Sequence, residues 1–357
     1  MNRAIVHVAS GREWRGGQRQ VWLLARELSR RGVPQVVVTG RGSELASRLT
    51  MDGISVRTVP WKLGLDPRVL RSILGESHFS AVLHAHDAHA LTLASLSALV
   101  TRTPLVVTRR VTFPIRHRYF WRRACRIIAI SRAVAEGLLR DGMQPERVVV
   151  IPSAVDPESL QSDPWDLRSA LRLPATSQLA VHLGALTPEK DQQTLLRAAA
   201  RLVRDLPELH WVIVGEGRLR SALQREIVDL DLNERVHLVG ALPDPDRALG
   251  QADVFVLSSL SEGLGSSALA AMAQGVPVVA TRVGGLPELL EPGNGVLVEP
   301  RDPTALAAAV ARVLDDSGFR SNLIAAARTQ AARFSVGPMA DQVLTVYRSC
   351  AHSLGGS

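Results

Sequence analysis

The sequence predicts an α/β fold made of two doubly wound parallel-sheet domains in tandem. Short apolar runs alternate with amphipathic stretches, which is typical of parallel strands covered by helices on both faces. The alternation stops over residues 152–176, which contain four prolines, and then restarts. The length of 357 residues suits two domains of about 150–180 residues each.

Thirteen apolar runs are predicted to be strands. Seven precede the proline-rich stretch, at 5–9, 36–39, 54–59, 81–84, 105–108, 127–130 and 148–151. Six follow it, at 179–182, 211–214, 236–239, 254–257, 278–280 and 295–298. Helices are predicted between them, the clearest at 18–31, where Val21, Leu24 and Leu28 share one face. The predicted domains are 1–163 and 164–335, followed by a C-terminal helix and tail at 336–357.

The remaining composition excludes several classes of protein. Cys125 and Cys350 lie 225 positions apart and form no metal-binding spacing, so we expect two free thiols in a reducing compartment. No apolar window approaches 18 residues, so no membrane span is predicted. The first residues lack the apolar run of a secretory signal, and a cytoplasmic location is expected.

Positive charge is concentrated in the first half of the chain. The net charge is +8, with +11 in residues 1–165 and −3 in the remainder. Residues 88–135 contain nine arginines and no acid, and arginines alternate with aromatic residues at 116–123. This pattern predicts contact with an anionic membrane surface or with a phosphorylated or lipid-linked substrate, and a packed arginine-rich helix is the alternative. Nucleic acid is not favoured, because no nucleic-acid-binding motif accompanies the charge. The residues assigned to this face are Arg109, Arg110, Arg116, Arg118, Trp121, Arg122 and Arg123.

Three loops between a strand and a helix are candidate ligand sites. The first ends in Gly16-Gly17 before a helix, where free backbone amides and the helix dipole favour a phosphate. The second, residues 182–191, contains Lys190, one of only two lysines in the chain. The third, residues 261–281, contains Glu262 and Gly265 before a helix that ends at Gly275. Because ligands bind at the carboxyl ends of parallel strands, we expect a cleft between the two domains to hold the substrate.

The three loops, in this order, resemble glycosyltransferase family 4, whose members are retaining enzymes of the GT-B fold. The resemblance covers nearly the whole chain and is most specific from Glu262 to Thr281. It implies two Rossmann-like domains facing a central cleft, with the C-terminal helix crossing back to the N-terminal, acceptor-binding domain. It also implies a nucleotide-diphosphate sugar donor, held by the second domain, and no metal or other cofactor.

The resemblance assigns roles to individual residues. Glu262 would contact the hydroxyls of the donor sugar, Lys190 would stabilise the departing diphosphate, and His86 would face the cleft. The donor-binding backbone and side chains would be those of Gly16, Gly17, Gly184, Gly215, Glu216, Gly265, Ser266 and Ser267. The expected acceptor is a glycan or glycolipid of the bacterial envelope, such as lipopolysaccharide, and the protein would lie at the inner face of the cytoplasmic membrane.

Three positions depart from the family pattern. A second glutamate, eight positions after Glu262, would hold the ribose, but this chain has Ala270. An arginine that usually precedes the lysine is Ala185, and a histidine common after the strand at 105–108 is replaced by Arg109-Arg110. We expect Arg109 or Arg110 to supplement the missing arginine.

Other functions remain open at this stage. The departures would suit a non-catalytic sugar-nucleotide-binding or partner subunit, and a nucleotide-sugar epimerase would share the fold. A nicotinamide dehydrogenase is not favoured, because residues 10–17 lack the pattern Gly-x-Gly-x-x-Gly. Asp229-x-Asp231 and Asp244-x-Asp246 resemble a metal motif of a different glycosyltransferase fold, but a helix end and a proline turn are poor settings for it.

Overall fold

The computed structural model describes residues 3–61, 66–78, 80–156, 163–290 and 293–352. Its contacts divide the chain into two compact units. Unit 1 comprises residues 1–154 and 334–357, and unit 2 comprises residues 155–333. The predicted ranges place the first boundary later, after residue 163, and the second after residue 335.

Unit 1 contains a seven-stranded parallel sheet. Its strands are β1 (Ala4–Ala9), β2 (Gln35–Gly40), β3 (Val56–Val59), β4 (Ser80–Ala85), β5 (Leu105–Arg109), β6 (Arg126–Ala129) and β7 (Val148–Val150). Its helices are α1 (Gly16–Arg30), α2 (Glu44–Met51), α3 (Pro67–Ser77), α4 (Ala88–Thr101), α5 (Arg118–Arg122) and α6 (Arg132–Arg140). The strand order is β3-β2-β1-β4-β5-β6-β7, so the direction of winding reverses between β1 and β4. The loops after these two strands lie at the position where doubly wound sheets bind ligands.

Unit 2 contains a six-stranded parallel sheet of the same type. Its strands are β8 (Gln178–Leu183), β9 (Leu209–Val214), β10 (Val236–Gly240), β11 (Val254–Leu257), β12 (Val278–Thr281) and β13 (Val296–Val298). Its helices are α7 (Leu167–Ala170), α8 (Gln192–Leu202), α9 (Arg220–Asp229), α10 (Ser266–Gln274), α11 (Leu286–Leu290), α12 (Pro303–Asp315) and α13 (Ser317–Ala332). The strand order is β10-β9-β8-β11-β12-β13, and the winding reverses between β8 and β11. The loops after β8 and β11 carry Lys190 and Glu262, respectively.

The last helix, α14 (Val336–His352), packs on unit 1, as predicted. Its buried side chains, including Val343 and Tyr347, share a core with Ile5 of β1 and Leu24 of α1. Arg31, just after α1, forms ion pairs with Glu27 and with Asp341 of α14. Removal of this apolar surface from water is the main force that holds the helix on the sheet.

The prediction of two free thiols is wrong. Cys125, just before β6, and Cys350 of α14 form a disulfide, with their Cα atoms 6.1 Å apart. The bond is possible because α14 brings the end of the chain back to the sheet of unit 1. It closes a long loop, which restricts the unfolded chain.

Candidate active site

The centre of the site in unit 2 is a contact between Lys190 and Glu262. The Lys190 Nζ donates a hydrogen bond to the Glu262 Oε1 over 2.5 Å, and the Ser259 Oγ donates to the same oxygen over 2.8 Å. The two charged side chains are 21% and 10% exposed, respectively, so they are shielded from solvent while remaining accessible. A cation and an anion are thus held side by side where the winding of the sheet reverses.

Backbone contacts fix the two loops that carry these side chains. The Leu260 N–H donates to the Glu189 carbonyl over 2.8 Å, and the Ser258 Oγ donates to the Lys190 carbonyl over 3.0 Å. Thr281, at the end of β12, donates through its Oγ1 to the Ser259 carbonyl over 2.5 Å. The loops after β8, β11 and β12 therefore form one connected frame, which holds Lys190 and Glu262 in place.

Two glycines allow the loops of unit 2 to pack this closely. Gly215 has φ +148°, and a Cβ there would lie 1.9 Å from the Gly184 carbonyl oxygen. Gly284 has φ +54°, and a Cβ there would lie 1.8 Å from the Glu262 carbonyl oxygen. Any other residue would clash with backbone and push the loops apart. Gly184 and Gly215, both predicted to bind the donor, are therefore in direct contact with each other.

The N-terminus of α10 offers backbone donors next to Glu262. Gly265 precedes the helix in the left-handed conformation, with φ +94°, and as a glycine it offers no side chain to cap the first turn. Ser266 and Ser267 are the first two residues of the helix, so their N–H groups lie at its positive end. This arrangement is suited to binding phosphate oxygens. Glu216, also predicted to bind the donor, instead pairs with Arg220 over 2.7 Å in an exposed ion pair.

A buried histidine supports the loop of Lys190 and was given no role from the sequence. The His182 Nδ1 lies 2.9 Å from the Val256 carbonyl oxygen, and its Nε2 lies 3.3 Å from the Gln192 Nε2. Burial lowers the pKa of His182 to about 4, so the ring is neutral at pH 7. The sequence did contain a signal for this role, because His182 stands at the end of an apolar predicted strand.

Unit 1 presents a second polar cluster, at the ends of β1 and β4. His86 follows β4 and is 4% exposed, and its Nε2 lies 2.9 Å from the His7 Nδ1. Asp87 accepts hydrogen bonds from the Ser10 N–H over 2.7 Å and from the Ser10 Oγ over 2.6 Å. Gly16 and Gly17 open α1, which no side chain caps. The topology therefore brings the predicted His86 and Gly16-Gly17 to the same edge of one sheet.

Two family models match the two halves of the chain. "Glycosyltransferase Family 4" matches residues 14–159, and "Glycosyl transferases group 1" matches residues 163–330. Together they cover both of the loop systems described above. The chain belongs to glycosyltransferase family 4.

Individual relatives agree with this assignment. A human component of phosphatidylinositol N-acetylglucosaminyltransferase is 28% identical over 80% of this chain and 63% of its own length. The lipopolysaccharide core biosynthesis glycosyltransferase LpsE of Rhizobium meliloti is 30% identical over 61% of this chain and 62% of its own. The chain thus spans slightly less than two thirds of both relatives.

A solved structure confirms the GT-B fold. Anabaena HepE, crystallised with UDP and glucose, superposes with a TM-score of 0.86 at 23% identity, covering 98% of this chain and 100% of that one. The two parallel sheets, of seven and six strands, are therefore the two Rossmann-like sheets of a family 4 glycosyltransferase.

The structure shows where the departures from the family 4 pattern lie. Ala270 is 0% exposed within α10, so this position contributes a methyl group to the core where other members would present a carboxylate. Ala185 contributes only backbone, since its carbonyl accepts a hydrogen bond from the Gln192 Nε2 over 2.9 Å. Neither position supplies a charged side chain to the site.

Two residues predicted to lie on the basic face of unit 1 are instead buried. Trp121 is packed in the interior, and the Arg109 guanidinium lies 5.2 Å above its ring and donates to the Phe113 carbonyl. Burial lowers the pKa of Arg109. The indole and the guanidinium satisfy each other within the fold, so assigning these two residues to an exposed face is wrong.

Arg110 is intermediate in burial, whereas the other four arginines of the predicted face are exposed. Arg116, Arg118, Arg122 and Arg123 lie at the surface around α5. Two aromatic side chains accompany them, Phe113 at 49% and Tyr119 at 62% exposure. No helix among the described residues is long and apolar enough to cross a bilayer.

Among the described residues, one group of side chains is close enough to hold a metal ion, namely His7, His84 and His86. Both ring nitrogens of His84 are engaged, one 2.5 Å from the Tyr347 hydroxyl and the other 2.8 Å from the Thr108 Oγ1. His7 and His86 contact each other through one nitrogen each. An ion bound by all three rings would have to displace a hydrogen bond of His84. The two Asp-x-Asp motifs do not belong to this group.

Proposed function

We propose that this protein is a retaining glycosyltransferase that moves a sugar from a nucleotide-diphosphate sugar to a hydroxyl group of a glycan or glycolipid. The observation that carries the proposal is the contact of Lys190 with Glu262, 2.5 Å apart beside the uncapped N-terminus of α10. The donor carries a diphosphate, which needs positive charge and N–H donors, and a sugar, which needs a hydrogen-bond acceptor. Lys190 supplies the positive charge, the first turn of α10 supplies the N–H donors, and Glu262 supplies the acceptor.

The residues of unit 2 have distinct tasks in this mechanism. As the bond between the sugar and the diphosphate breaks, negative charge builds up on the leaving oxygen. The Lys190 ammonium and the amides of Ser266 and Ser267 stabilise that charge. Glu262 accepts hydrogen bonds from the sugar hydroxyls and orients the ring. The acceptor hydroxyl attacks from the face that the diphosphate leaves and passes its proton to the departing phosphate oxygen, so the anomeric configuration is retained. No step requires a metal.

The relatives support an acceptor linked to a membrane lipid. The names of the human and Rhizobium proteins refer to phosphatidylinositol and to the lipopolysaccharide core. For this chain we propose an acceptor of the bacterial cell envelope. HepE was crystallised with UDP and glucose, which supports a uridine nucleotide sugar as the donor.

A screen of nucleotide sugars tests the proposal. The full chain is titrated with common donors by calorimetry, and release of the nucleoside diphosphate is measured in parallel. We expect saturable binding of one donor with slow release, both weakened in Glu262→Ala and Lys190→Ala. If no donor binds, the alanine at position 270 has abolished the donor site. The protein would then be a non-catalytic partner subunit and not an enzyme. Interconversion of the free donor without release would instead identify an epimerase.

We also propose that the surface around α5 associates with anionic membranes. Each arginine close to such a surface contributes about 1 kcal/mol at low salt. The full chain is expected to sediment with vesicles of anionic phospholipid and to be released by salt. Replacing Arg116, Arg118, Arg122 and Arg123 by glutamine should weaken binding at least about tenfold.

The control for this experiment is Arg71→Gln combined with Arg102→Gln, which removes exposed charge elsewhere in unit 1. Because the control removes two charges and the test variant removes four, the losses of binding free energy are compared per arginine. Equal losses per arginine would show that only the net charge matters, and the proposed surface would be wrong. Absence of any sedimentation at low salt would exclude membrane association.

A further inference from the structure

Three buried histidines lie together on one face of the sheet of unit 1. His7 of β1 stands opposite His84 of β4 in the parallel register, and His86 follows two positions later. Because side chains two positions apart in a strand point to the same face, the register brings the three rings together. The ring centroids of His84 and His86 are 3.9 Å apart, and those of His7 and His86 are 5.2 Å apart. The cluster is thus built into the pairing of β1 with β4.

The three rings are held in the form that binds metal ions. Each is at most 4% exposed, and burial is the largest cause that lowers the pKa of all three, to about 4 for His7. They are therefore neutral at pH 7, and a neutral imidazole has a nitrogen lone pair to offer a metal. Apolar side chains would fill the same space without the cost of burying polar nitrogens, so packing alone does not account for the cluster.

Hydrogen bonds leave part of the cluster unsatisfied. The His7 Nδ1 and the His86 Nε2 lie 2.9 Å apart, so one proton serves both nitrogens. The other nitrogens of these rings, His7 Nε2 and His86 Nδ1, are buried and have no hydrogen-bond partner in the described part of the chain. Gln35 acts to raise the pKa of His7, against the effect of burial, and its own Oε1 is likewise unpaired, so it can accept the Nε2 proton once the ring shifts. The fold therefore holds imidazole nitrogens whose bonding capacity is not used.

The spacing of the rings suits a single small cation. One nitrogen from each of the three rings lies within 4.8 Å of the other two. Zinc holds imidazole nitrogens at about 2.0–2.1 Å in a tetrahedral arrangement, which places them about 3.3 Å from one another. The 2.9 Å between the His7 Nδ1 and the His86 Nε2 is already close to that spacing. A small approach of the third ring completes the site.

Tyr347 holds this third ring in place. The His84 Nδ1 lies 2.5 Å from the Tyr347 hydroxyl, and its Nε2 lies 2.8 Å from the Thr108 Oγ1. A histidine that binds a metal almost always has its second nitrogen hydrogen-bonded to a fixed partner, and Tyr347 provides one. The bond to Thr108 is the one that a cation would replace.

We propose that His7, His84 and His86 bind a zinc ion. Zn²⁺ is favoured over Mg²⁺ and Ca²⁺ because every ligand is an imidazole and the group contains no carboxylate. With three protein ligands, a water molecule takes the fourth position. The ion joins β1 to β4 and, through Tyr347, to α14. It takes no part in the proposed transfer of sugar, whose charged groups belong to unit 2, so the two proposals stand or fall separately.

Calorimetric titration of the full chain with Zn²⁺ at neutral pH, after bound metal has been removed with a chelator, tests this inference. We expect one ion to bind per chain. His7→Gln and His86→Gln should each weaken the binding at least about tenfold, since loss of a partner that merely orients a ligand already costs about 10–100-fold. Mg²⁺ in place of Zn²⁺ should give no binding at this group, because it requires oxygen ligands. A wild-type chain that binds no zinc would overturn the inference.

Two control variants remove histidines outside the cluster. His210→Gln removes a ring whose Nδ1 lies 3.1 Å from the His237 Nε2 in unit 2, and His89→Gln removes an exposed ring from α4. Both should bind zinc like the wild type. A larger loss in His210→Gln than in His7→Gln would place the ion at the pair in unit 2 and overturn the inference. Circular dichroism of the metal-free proteins confirms that each variant is folded. Because protons and zinc compete for the same nitrogens, the dependence of stability on pH also has to be measured on the metal-free protein.

Tyr347→Phe keeps the aromatic ring in the core and removes the hydroxyl that holds His84. It should bind zinc about tenfold more weakly than the wild type. Zinc should accordingly raise the midpoint of thermal unfolding less in this variant than in the wild type. The variant carries the test if the substitutions of His7 and His86 prevent folding. Wild-type affinity in a folded Tyr347→Phe protein would exclude His84 as a ligand and overturn the site of three rings.

Arg110 supplies a test that depends on charge. Its charge acts on His84 and His86 in the direction that lowers their pKa, so it also opposes a cation at the cluster. Arg110→Gln should therefore bind zinc more tightly than the wild type. Equal or weaker binding in a folded Arg110→Gln protein would place the ion beyond the reach of this charge and overturn the inference.

Discussion

Replacing Lys190 by alanine is expected to lower the rate of sugar transfer about a hundredfold to a thousandfold, the usual effect of removing one preorganised electrostatic group from an active site. Lys190 and Glu262 form an ion pair, with the Lys190 Nζ 2.5 Å from the Glu262 Oε1. In the proposed mechanism, Lys190 faces the diphosphate of the donor and Glu262 faces its sugar. The variant therefore loses stabilisation of the leaving group, and the rate of diphosphate release under saturating donor measures that loss.

The same substitution has a separate effect on stability. Without Lys190, the carboxylate of Glu262, which is 10% exposed, keeps only the Ser259 hydroxyl as a side-chain partner among the described residues. We expect the free energy of unfolding to fall by about 2 kcal/mol. Glu262→Gln in the Lys190→Ala background removes the unpaired charge and should restore part of this loss without restoring transfer. A double-mutant cycle thus separates the structural from the catalytic part of the interaction.

Arg201→Gln is the matched control, because it removes an exposed cation from α8, the helix that begins just after Lys190. Its transfer rate and stability should equal those of the wild type. Lys190→Arg keeps the charge and should retain part of the activity. A Lys190→Ala protein that is folded and transfers sugar at the wild-type rate would remove Lys190 from the mechanism.

Most of the strands were predictable because they are short apolar runs bounded by polar or glycine residues, and a strand buried on both faces needs continuous apolar character. All thirteen appear in the structure within two residues of the predicted limits. β3 is an exception in composition, since its Arg57 and Thr58 are exposed. The disulfide was not predictable in this way. Cys125 and Cys350 are 225 residues apart, and only the packing of α14 on unit 1 brings them together.

The part of the candidate site that was predictable is the part set by which strand each loop follows. Lys190 and Glu262 follow β8 and β11, which are neighbours in the sheet, so topology alone brings them close. Local sequence could not show which side of α5 is buried, and Trp121 was therefore misplaced. The contact between His7 and His86 depends on the register that pairs His7 with His84, which becomes visible only once β1 and β4 are aligned.

A fall in pH is expected to destabilise the protein well before its carboxylates are protonated. Burial, the largest cause in each case, lowers the pKa of His7 and His182 to about 4 and holds those of His84 and His86 well below 6.5. In the unfolded chain these groups take up protons near pH 6.5, whereas in the folded protein they stay neutral. The free energy of unfolding is therefore highest above pH 6.5 and falls from there toward pH 4.

The size of the effect follows from the shifts. For His7 and His182, a fall from 6.5 to about 4 corresponds to about 3 kcal/mol each at the acidic end. Burial remains the largest cause of these lowered pKa values, and the charged groups nearby are smaller causes. Arg110 acts on His84 and His86 in the same direction as burial, while Lys190 and Glu262 act on His182 in opposite directions. Burial also lowers the pKa of His210 and of His237 in unit 2, so both units are expected to lose stability on acidification.

Thermal unfolding measured between pH 7.5 and 4.5 tests this expectation. His7→Gln removes one of the buried groups. Below pH 6.5 the number of protons taken up on unfolding, which sets the slope of unfolding free energy against pH, should therefore fall by up to one. The matched control is His89→Gln, which removes an exposed histidine from α4. An equal change of slope in both variants would contradict an origin in the buried rings. A stability that stays level down to pH 5 would mean that the buried rings are protonated in the folded protein. The cluster of His7, His84 and His86 around Tyr347 would then be a charged network.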